Sequence, residues 1–210
     1  VFHHKFQKTD QVWALGDMHV NHVNLTRGVS KWDTSCNITR DYGMVAEMNG
    51  AVLDSLQAIP KDAYLFLLGD ILFGNKEDIN LVLDAIPTKN IIYIFGNHCD
   101  WLRKRLSADL ELGDRFLWTG DYLEVFWGGK LTILCHYPLA SWREMGKDSW
   151  MIHGHSHGSY MPGLPTTKDQ GKILDVGWDI LNRPLDMHEI SAIMDSKEFA
   201  QVDHHNHKTT

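Results

Sequence analysis

Val12-Trp13-Ala14-Leu15-Gly16-Asp17-Met18-His19 sets the pattern from which the rest of the chain is read. A compact apolar run ends in glycine and an acidic residue, which reads as a buried strand running into a loop. The same sentence is written twice more. Residues 63–68 are apolar and lead into Gly69-Asp70, and residues 91–95 lead into Gly96-Asn97-His98. In open α/β sheets the loops beyond the carboxyl ends of the strands form the functional crevice. Glycine there is expected to let the backbone turn sharply and approach a bound group. One strand-glycine-ligand junction is an ordinary turn; three in succession point to a site.

Helical periodicity separates these strands. Val45, Met48, Val52, Leu56 and Ile59 predict a helix over residues 42–59, ended by Pro60. Ile79, Val82, Leu83 and Ile86 predict a second over 76–86, closed by Pro87, and 100–112 reads as a short third. The second half changes character. Residues 122–126 and 130–134 flank Trp127-Gly128-Gly129, a hairpin signal. Strands follow at 150–153 and 172–176, and Asp186 is placed to cap a last helix through Met194. Strands that alternate with helices and then pair directly imply an α/β sandwich with a mixed sheet or two facing sheets. We read residues 1–210 as a single domain, with a polar tail from about 204.

Composition excludes several classes. At 43% hydrophobic with 8 Trp and 8 Phe, the chain can bury a sizeable core. A net charge of -7 argues against stable nucleic-acid binding through a basic surface, though not against a small phosphate, since bound cations reverse the local sign. Cys36, Cys99 and Cys135 form no paired framework and are expected as free thiols in a reducing compartment. No apolar run is long enough to span a bilayer, and residues 1–5 lack a signal-peptide design, so no membrane partner and a cytoplasmic location are expected.

Trp150-Met151-Ile152-His153-Gly154-His155-Ser156-His157-Gly158 places three histidines at alternate positions, which in an extended segment would put them on one side. Together, Asp17, His19, Asp70, Asn97, His136, His155 and His157 offer hard oxygens and borderline nitrogens suited to two first-row divalent ions, Mn, Fe, Zn or Ni. Asp70, central in the set, could bridge both. Such a pair clamps a phosphoryl group and lowers the pKa of a shared water. His98, beside Asn97, is placed to protonate or stabilise a leaving oxygen.

The series Gly16-Asp17-Met18-His19, Gly69-Asp70, Gly96-Asn97-His98, His136-Tyr137-Pro138 and Gly154-His155-Ser156-His157 resembles the calcineurin-like metallophosphoesterases, in the family's motif order. Details such as residues 17–25 and 174–179 look like a small subgroup common in bacteria and their phages. The resemblance implies a four-layer α/β/β/α sandwich and a dinuclear phosphoesterase in which a metal-bridging hydroxide attacks in line. It assigns Asp17, His19 and His157 to one ion, Asn97, His136 and His155 to the other, and Asp70 to both. His98 becomes general acid or phosphate stabiliser. Manganese is the expected metal, and a small or exposed phosphodiester, less so a monoester, the expected substrate. A nuclease, or an interaction module with this fold and no turnover, are the alternatives.

Two departures stand out. Cys99 occupies the position where the family has an acidic side chain that orients the histidine. No Asp-Arg pair follows Gly69-Asp70, which argues against the protein-phosphatase branch. Around the site, His22, Asn97 and Arg27 are candidate substrate contacts. Arg40, Arg103 and Lys104 read as phosphate contacts or, more plainly, as solvated charges. His153 reads as a packed histidine and Cys135 as a small core residue.

Overall fold

The computed structural model describes residues 4–26, 40–159 and 171–198. The expected strands form and, joined by three short strands the sequence did not mark, close into two five-stranded mixed sheets. The first takes β2 (Val12–Gly16), β3 (Tyr64–Leu68), β4 (Asn90–Ile94), β5 (Trp118–Gly120) and β10 (Leu185–Asp186), in the order β10-β2-β3-β4-β5. The second takes β1 (Lys5–Phe6), β6 (Tyr122–Trp127), β7 (Lys130–Cys135), β8 (Trp150–His153) and β9 (Ile173–Asp175), in the order β1-β6-β7-β8-β9. β2 to β5 run parallel, and β10 closes the edge antiparallel to β2.

The apolar runs of β2, β3 and β4 are continuous because both of their faces are covered. Leu15, Leu65, Leu67, Ile91 and Tyr93 face a helical layer, while Ala14, Phe66, Leu68, Ile92 and Ile94 face the second sheet. The helical layer holds α1 (Val45–Ser55), α2 (Ile79–Ala85), α3 (Asp100–Leu106), α4 (Leu110–Gly113) and the single turn α5 (Trp178–Leu181). They contribute Met48, Val52, Val82, Leu102, Leu112 and Trp178 to that core. Opposite, Leu123, Val125, Trp127, Leu134, Trp150 and Ile152 fill the space between the sheets. Met187, Ile190 and Met194 of α6 (Met187–Asp195) join them there.

The outer face of the second sheet exposes Leu131, Ile133, Cys135, Met151 and Ile173 to Leu139 and Trp142, from the loop after β7. Among the described residues no helix contributes to that cluster, so three layers are seen where the resemblance implied four. Nor, among them, is any helix long and apolar enough to cross a membrane.

Helix boundaries depart from the periodicity for local reasons. The stretch 42–59 becomes α only at Val45, where Glu47 accepts the Gly43 and Met44 N–H groups. It tightens to a 3-10 turn at Leu56–Ala58, and Ile59 is extended, as a residue before proline must be. The stretch 100–112 splits in two because Asp109 leaves the helix and caps α4, accepting from Leu112 N–H. The hairpin forms as expected. Gly128 and Gly129 both have positive φ, 56° and 87°, which a two-residue turn matched to the strand twist requires.

Register decides where the ligands emerge. Gly16 pairs with Leu68 and Leu68 with Ile94, so β2, β3 and β4 end at one level. In the second sheet Leu134 pairs with Ile152, bringing His136 and Gly154 out together. The sheets meet at this edge, where Gly16 N–H donates to Val176 O and the His136 ring reaches Leu68 O.

Asp186 caps α6 as read: its carboxylate accepts from the His188 and Glu189 N–H groups, and Glu189 reaches back to the Asp186 N–H. Asp186→Ala should lower stability by about 1 kcal/mol in urea unfolding, with Asp186→Asn recovering most of it. Equal losses in both variants would show that the cap is not the source.

Candidate metal centre

Asp17 and His19 follow β2, Asp70 follows β3, Asn97 and His98 follow β4, His136 follows β7, and His155 and His157 follow β8. All seven expected ligands therefore arrive at the shared edge of the two sheets. The backbone is bent hard to aim them. Asp17, His19, Asp70, His155 and His157 have φ between 46° and 68°, the left-handed region. For residues with a Cβ this costs about 1–3 kcal/mol each and is kept where a site over-determines it.

That geometry revises two expectations. The histidines of 153–157 do not share one side of a strand, because β8 ends at His153. His153 is buried and its ring faces Gly154 O at 2.7 Å, while left-handed turns deliver His155 and His157. The glycines serve mainly as clearance, with Gly69 (φ 83°) alone of Gly16, Gly69, Gly96 and Gly154 in the left-handed region. A Cβ on Gly96 would overlap Asp70 Oδ1, and one on Gly154 would overlap Asp17 Oδ2.

Two groups of ligand atoms result. Asp17, His19 and His157 form one; Asp17, Asp70 and His136 form the other. In the first, His19 Nε2 and His157 Nε2 are 3.1 Å apart, with Asp17 Oδ1 3.8 and 4.0 Å from them. In the second, His136 Nε2 lies 3.6 Å from Asp70 Oδ2 and 2.9 Å from Asn97 Oδ1. His155 Nδ1 approaches the same Asn97 oxygen at 3.0 Å. The carboxylate that occurs in both groups is Asp17; Asp70, which the sequence read as a bridge, falls in the second.

The donor chemistry fits cations. His136 Nδ1 sits 2.8 Å from Leu68 O, which can only accept, so its proton is there and Nε2 presents a bare lone pair. His157 Nδ1 likewise donates to Asp179 Oδ2 at 2.7 Å, leaving its Nε2 bare. Asp17 is fully buried. Its Oδ2 accepts from His155 N–H at 2.7 Å, but Oδ1 has no hydrogen-bond partner among the described residues. Lone pairs therefore converge from both histidines, both aspartates and Asn97. A buried carboxylate oxygen left this way is costly unless a cation meets it.

The electrostatics agree. Burial, opposed by the His157 charge, pushes the Asp17 carboxyl well above the usual range, as expected for a carboxylate awaiting positive charge. Burial also lowers the pKa of His19 and His136, favouring the neutral imidazole that ligates metals. For His157 burial pulls downward, but the Asp179 hydrogen bond and the Asp17 charge outweigh it and the net shift is upward.

Arg40 is the residue the sequence misplaced. It is neither a phosphate contact nor solvated: it is buried, with Nε 2.7 Å from Asp179 Oδ1 and Nη2 2.9 Å from Oδ2. It also donates to the carbonyls of Met18 (2.7 Å) and Asp17 (2.6 Å) and lies over Trp178. Burial would raise the Asp179 pKa, but hydrogen bonds from His157 and Arg40 outweigh it and hold it at about 2. Arg40 thus fixes the Asp17 loop and, through Asp179, the orientation of His157. Nothing local in the sequence marks the partnership, since 139 residues separate Arg40 from Asp179.

The remaining candidates divide. His98 stands exposed at the rim, its backbone N–H donating to Asp70 Oδ1 at 3.0 Å. Cys99 is buried and points away from His98: its thiol donates to Asp70 Oδ1 at 3.4 Å and lies 2.7 Å from Tyr93 Oη. With Oδ1 so engaged, Asp70 has Oδ2 left for a cation. His22 lies beside His19 at the mouth, with ring centroids 5.2 Å apart. Arg103 pairs with Asp121 and stacks over Phe95. Arg27 and Cys36 lie outside the described residues; Cys135 is a buried free thiol, as read.

Asp179→Asn should weaken binding of Mn²⁺ by about 10- to 100-fold in calorimetric titration, with an unchanged circular dichroism spectrum. Unaltered affinity would remove Asp179 from any role at the centre.

No family model matches the chain. It is 25% identical to the uncharacterized protein MJ1445 of Methanocaldococcus jannaschii over 175 residues, 82% of this chain and 84% of that protein. Its fold is similar to that of AQ665, a protein of unknown function from Aquifex aeolicus, with a TM-score of 0.61 at 18% identity. That likeness takes in 88% of this chain and all of the other.

Proposed function

We propose that this chain is a metal-dependent phosphoesterase that holds two divalent cations, with manganese the first candidate, and cleaves a small or exposed phosphodiester. The observation that carries the reading is the buried Asp17 carboxylate. Among the described residues, one of its oxygens lacks a hydrogen-bond partner at the meeting point of two groups of potential ligands. On this reading Asp17, His19 and His157 hold one cation, and Asp17, Asp70, Asn97, His136 and His155 supply the second. Bound there, such a pair clamps a phosphoryl group and activates water near neutral pH.

The chain's own residues supply the rest. Arg40 and Asp179 fix the His157 ring so that Nε2 faces inward. The Leu68 carbonyl does the same for His136. His98, exposed beside Asn97, is free to meet the phosphate and to give a proton to the departing oxygen. Asn97, His98 and His155 are all exposed, so the centre opens to solvent and suits a substrate that presents its phosphate outward. The same reading assigns the sandwich to the four-layer metallophosphoesterase type, with the loop carrying Leu139 and Trp142 replacing the outer helices.

Purified protein stripped of metal and reloaded with Mn²⁺ should hydrolyse bis(p-nitrophenyl) phosphate faster than p-nitrophenyl phosphate. Asp70→Asn should lose metal and activity together. His98→Ala should keep its metal and lose rate by about 10²- to 10⁴-fold. Turnover of neither ester, nor of a nucleotide panel, would overturn the reading in favour of an interaction module. Salt-sensitive cleavage of DNA or RNA would replace it with a nuclease.

A further inference from the structure

With Cys99 turned inward, something other than an acidic neighbour must hold the His98 ring. Among the described residues no side chain hydrogen-bonds to that ring. The nearer of two rings against it is Phe73, whose centroid lies 4.5 Å away at 54°; His19 is farther, at 6.1 Å and 66°. Phe73 is in turn braced by His22, stacked at 3.8 Å and 5°. Its ring also lies 5.1 Å from that of His19. The backbone fixes Phe73 as firmly as a strand would: Phe73 N–H donates to Val20 O at 2.8 Å, and Val20 N–H to Ile71 O at 3.0 Å. The segment after Asp70 is thus clipped to the segment after His19, and Phe73 hangs from the clip between three imidazoles.

We propose that Phe73 is the positioning residue for His98, taking by ring packing the part an acidic neighbour plays elsewhere. An edge-tilted aromatic contact has a preferred geometry and excludes water from one side of the imidazole. A two-torsion exposed histidine thereby loses orientations that point it away from the phosphate. His22 covers one face of the ring, and His98 and the Lys76 ammonium crowd it further, so Phe73 is assigned to packing and not to stacking a nucleobase. Its loss should therefore be felt in turnover and not in substrate affinity. The catalytic half of the proposal rests on the phosphoesterase reading; the packing half does not.

The test uses Phe73→Leu, Phe73→Ala and Phe73→Tyr in the full chain, with thermal melts to confirm folding. In the metal-free protein, the His98 ring proton resonances, assigned by their absence in His98→Ala, carry the shielding of the Phe73 ring. They should shift in Phe73→Leu and stay close to wild type in Phe73→Tyr. In the Mn²⁺-loaded protein, Phe73→Ala should lower kcat for bis(p-nitrophenyl) phosphate about 10- to 100-fold, with KM and Mn²⁺ affinity unchanged. Phe73→Tyr should restore most of that loss. In the His98→Ala background the Phe73→Ala change should cost almost nothing further, because Phe73 acts through His98. Equal losses in both backgrounds, or His98 resonances indifferent to residue 73, overturn the proposal. A wild type with no turnover overturns the phosphoesterase reading instead, and the resonances then decide the packing role alone.

Discussion

The buried Asp17 carboxylate is the constraint around which the molecule is arranged. It lies where the two sheets meet, fully removed from water, with one oxygen held by the His155 N–H and the other facing two imidazoles. Burial opposes its charge, and the His157 charge and the His155 N–H act against that. Glycine at 154 and 177 leaves the room its oxygens need, since a Cβ at either would crowd Oδ2. Arg40 binds the carbonyls of Asp17 and Met18 from behind, so the loop cannot relax outward to hydrate the carboxylate. Each of these features is awkward for a simple core and coherent for a cation site.

Stabilisation comes from elsewhere to offset this. Two apolar cores, one beneath the helices and one between the sheets, clamp β2, β3 and β4 on both faces. Dense packing of that kind is what lets five candidate ligand residues persist in left-handed backbone, at a cost the loops alone could not sustain. The parallel register then converts strand ends into a row of candidate ligands.

Within the site, His157 and His136, one from each group, are oriented by different means. His157 is held by an ionised carboxylate that is itself neutralised by Arg40, and His136 by a main-chain carbonyl of the facing sheet. In both, one ring nitrogen is committed to the protein so that the other is presented bare. His98 has no such hydrogen bond among the described residues and leans on Phe73 instead. The rim is thus held by packing, and the floor by hydrogen bonds.

Much of this was legible in the chain. Apolar runs ending in Gly16-Asp17, Gly69-Asp70 and Gly96-Asn97 identified three strands, because a strand buried on both faces leaves a signal of composition. Gly128-Gly129 fixed a hairpin and Asp186 a helix start, since both depend on local backbone chemistry alone. The short strands β1, β5 and β10 left no such trace, their residues becoming strand only by pairing with β6, β4 and β2. Tertiary structure alone decided that Asp17 is common to both groups, that Arg40 is buried against Asp179, and that Cys99 turns to Asp70 while Phe73 meets His98. Local pattern determines what a residue is able to do. Which distant side chain it meets depends on strand register and on left-handed turns, and those are settled only when the two sheets close on each other.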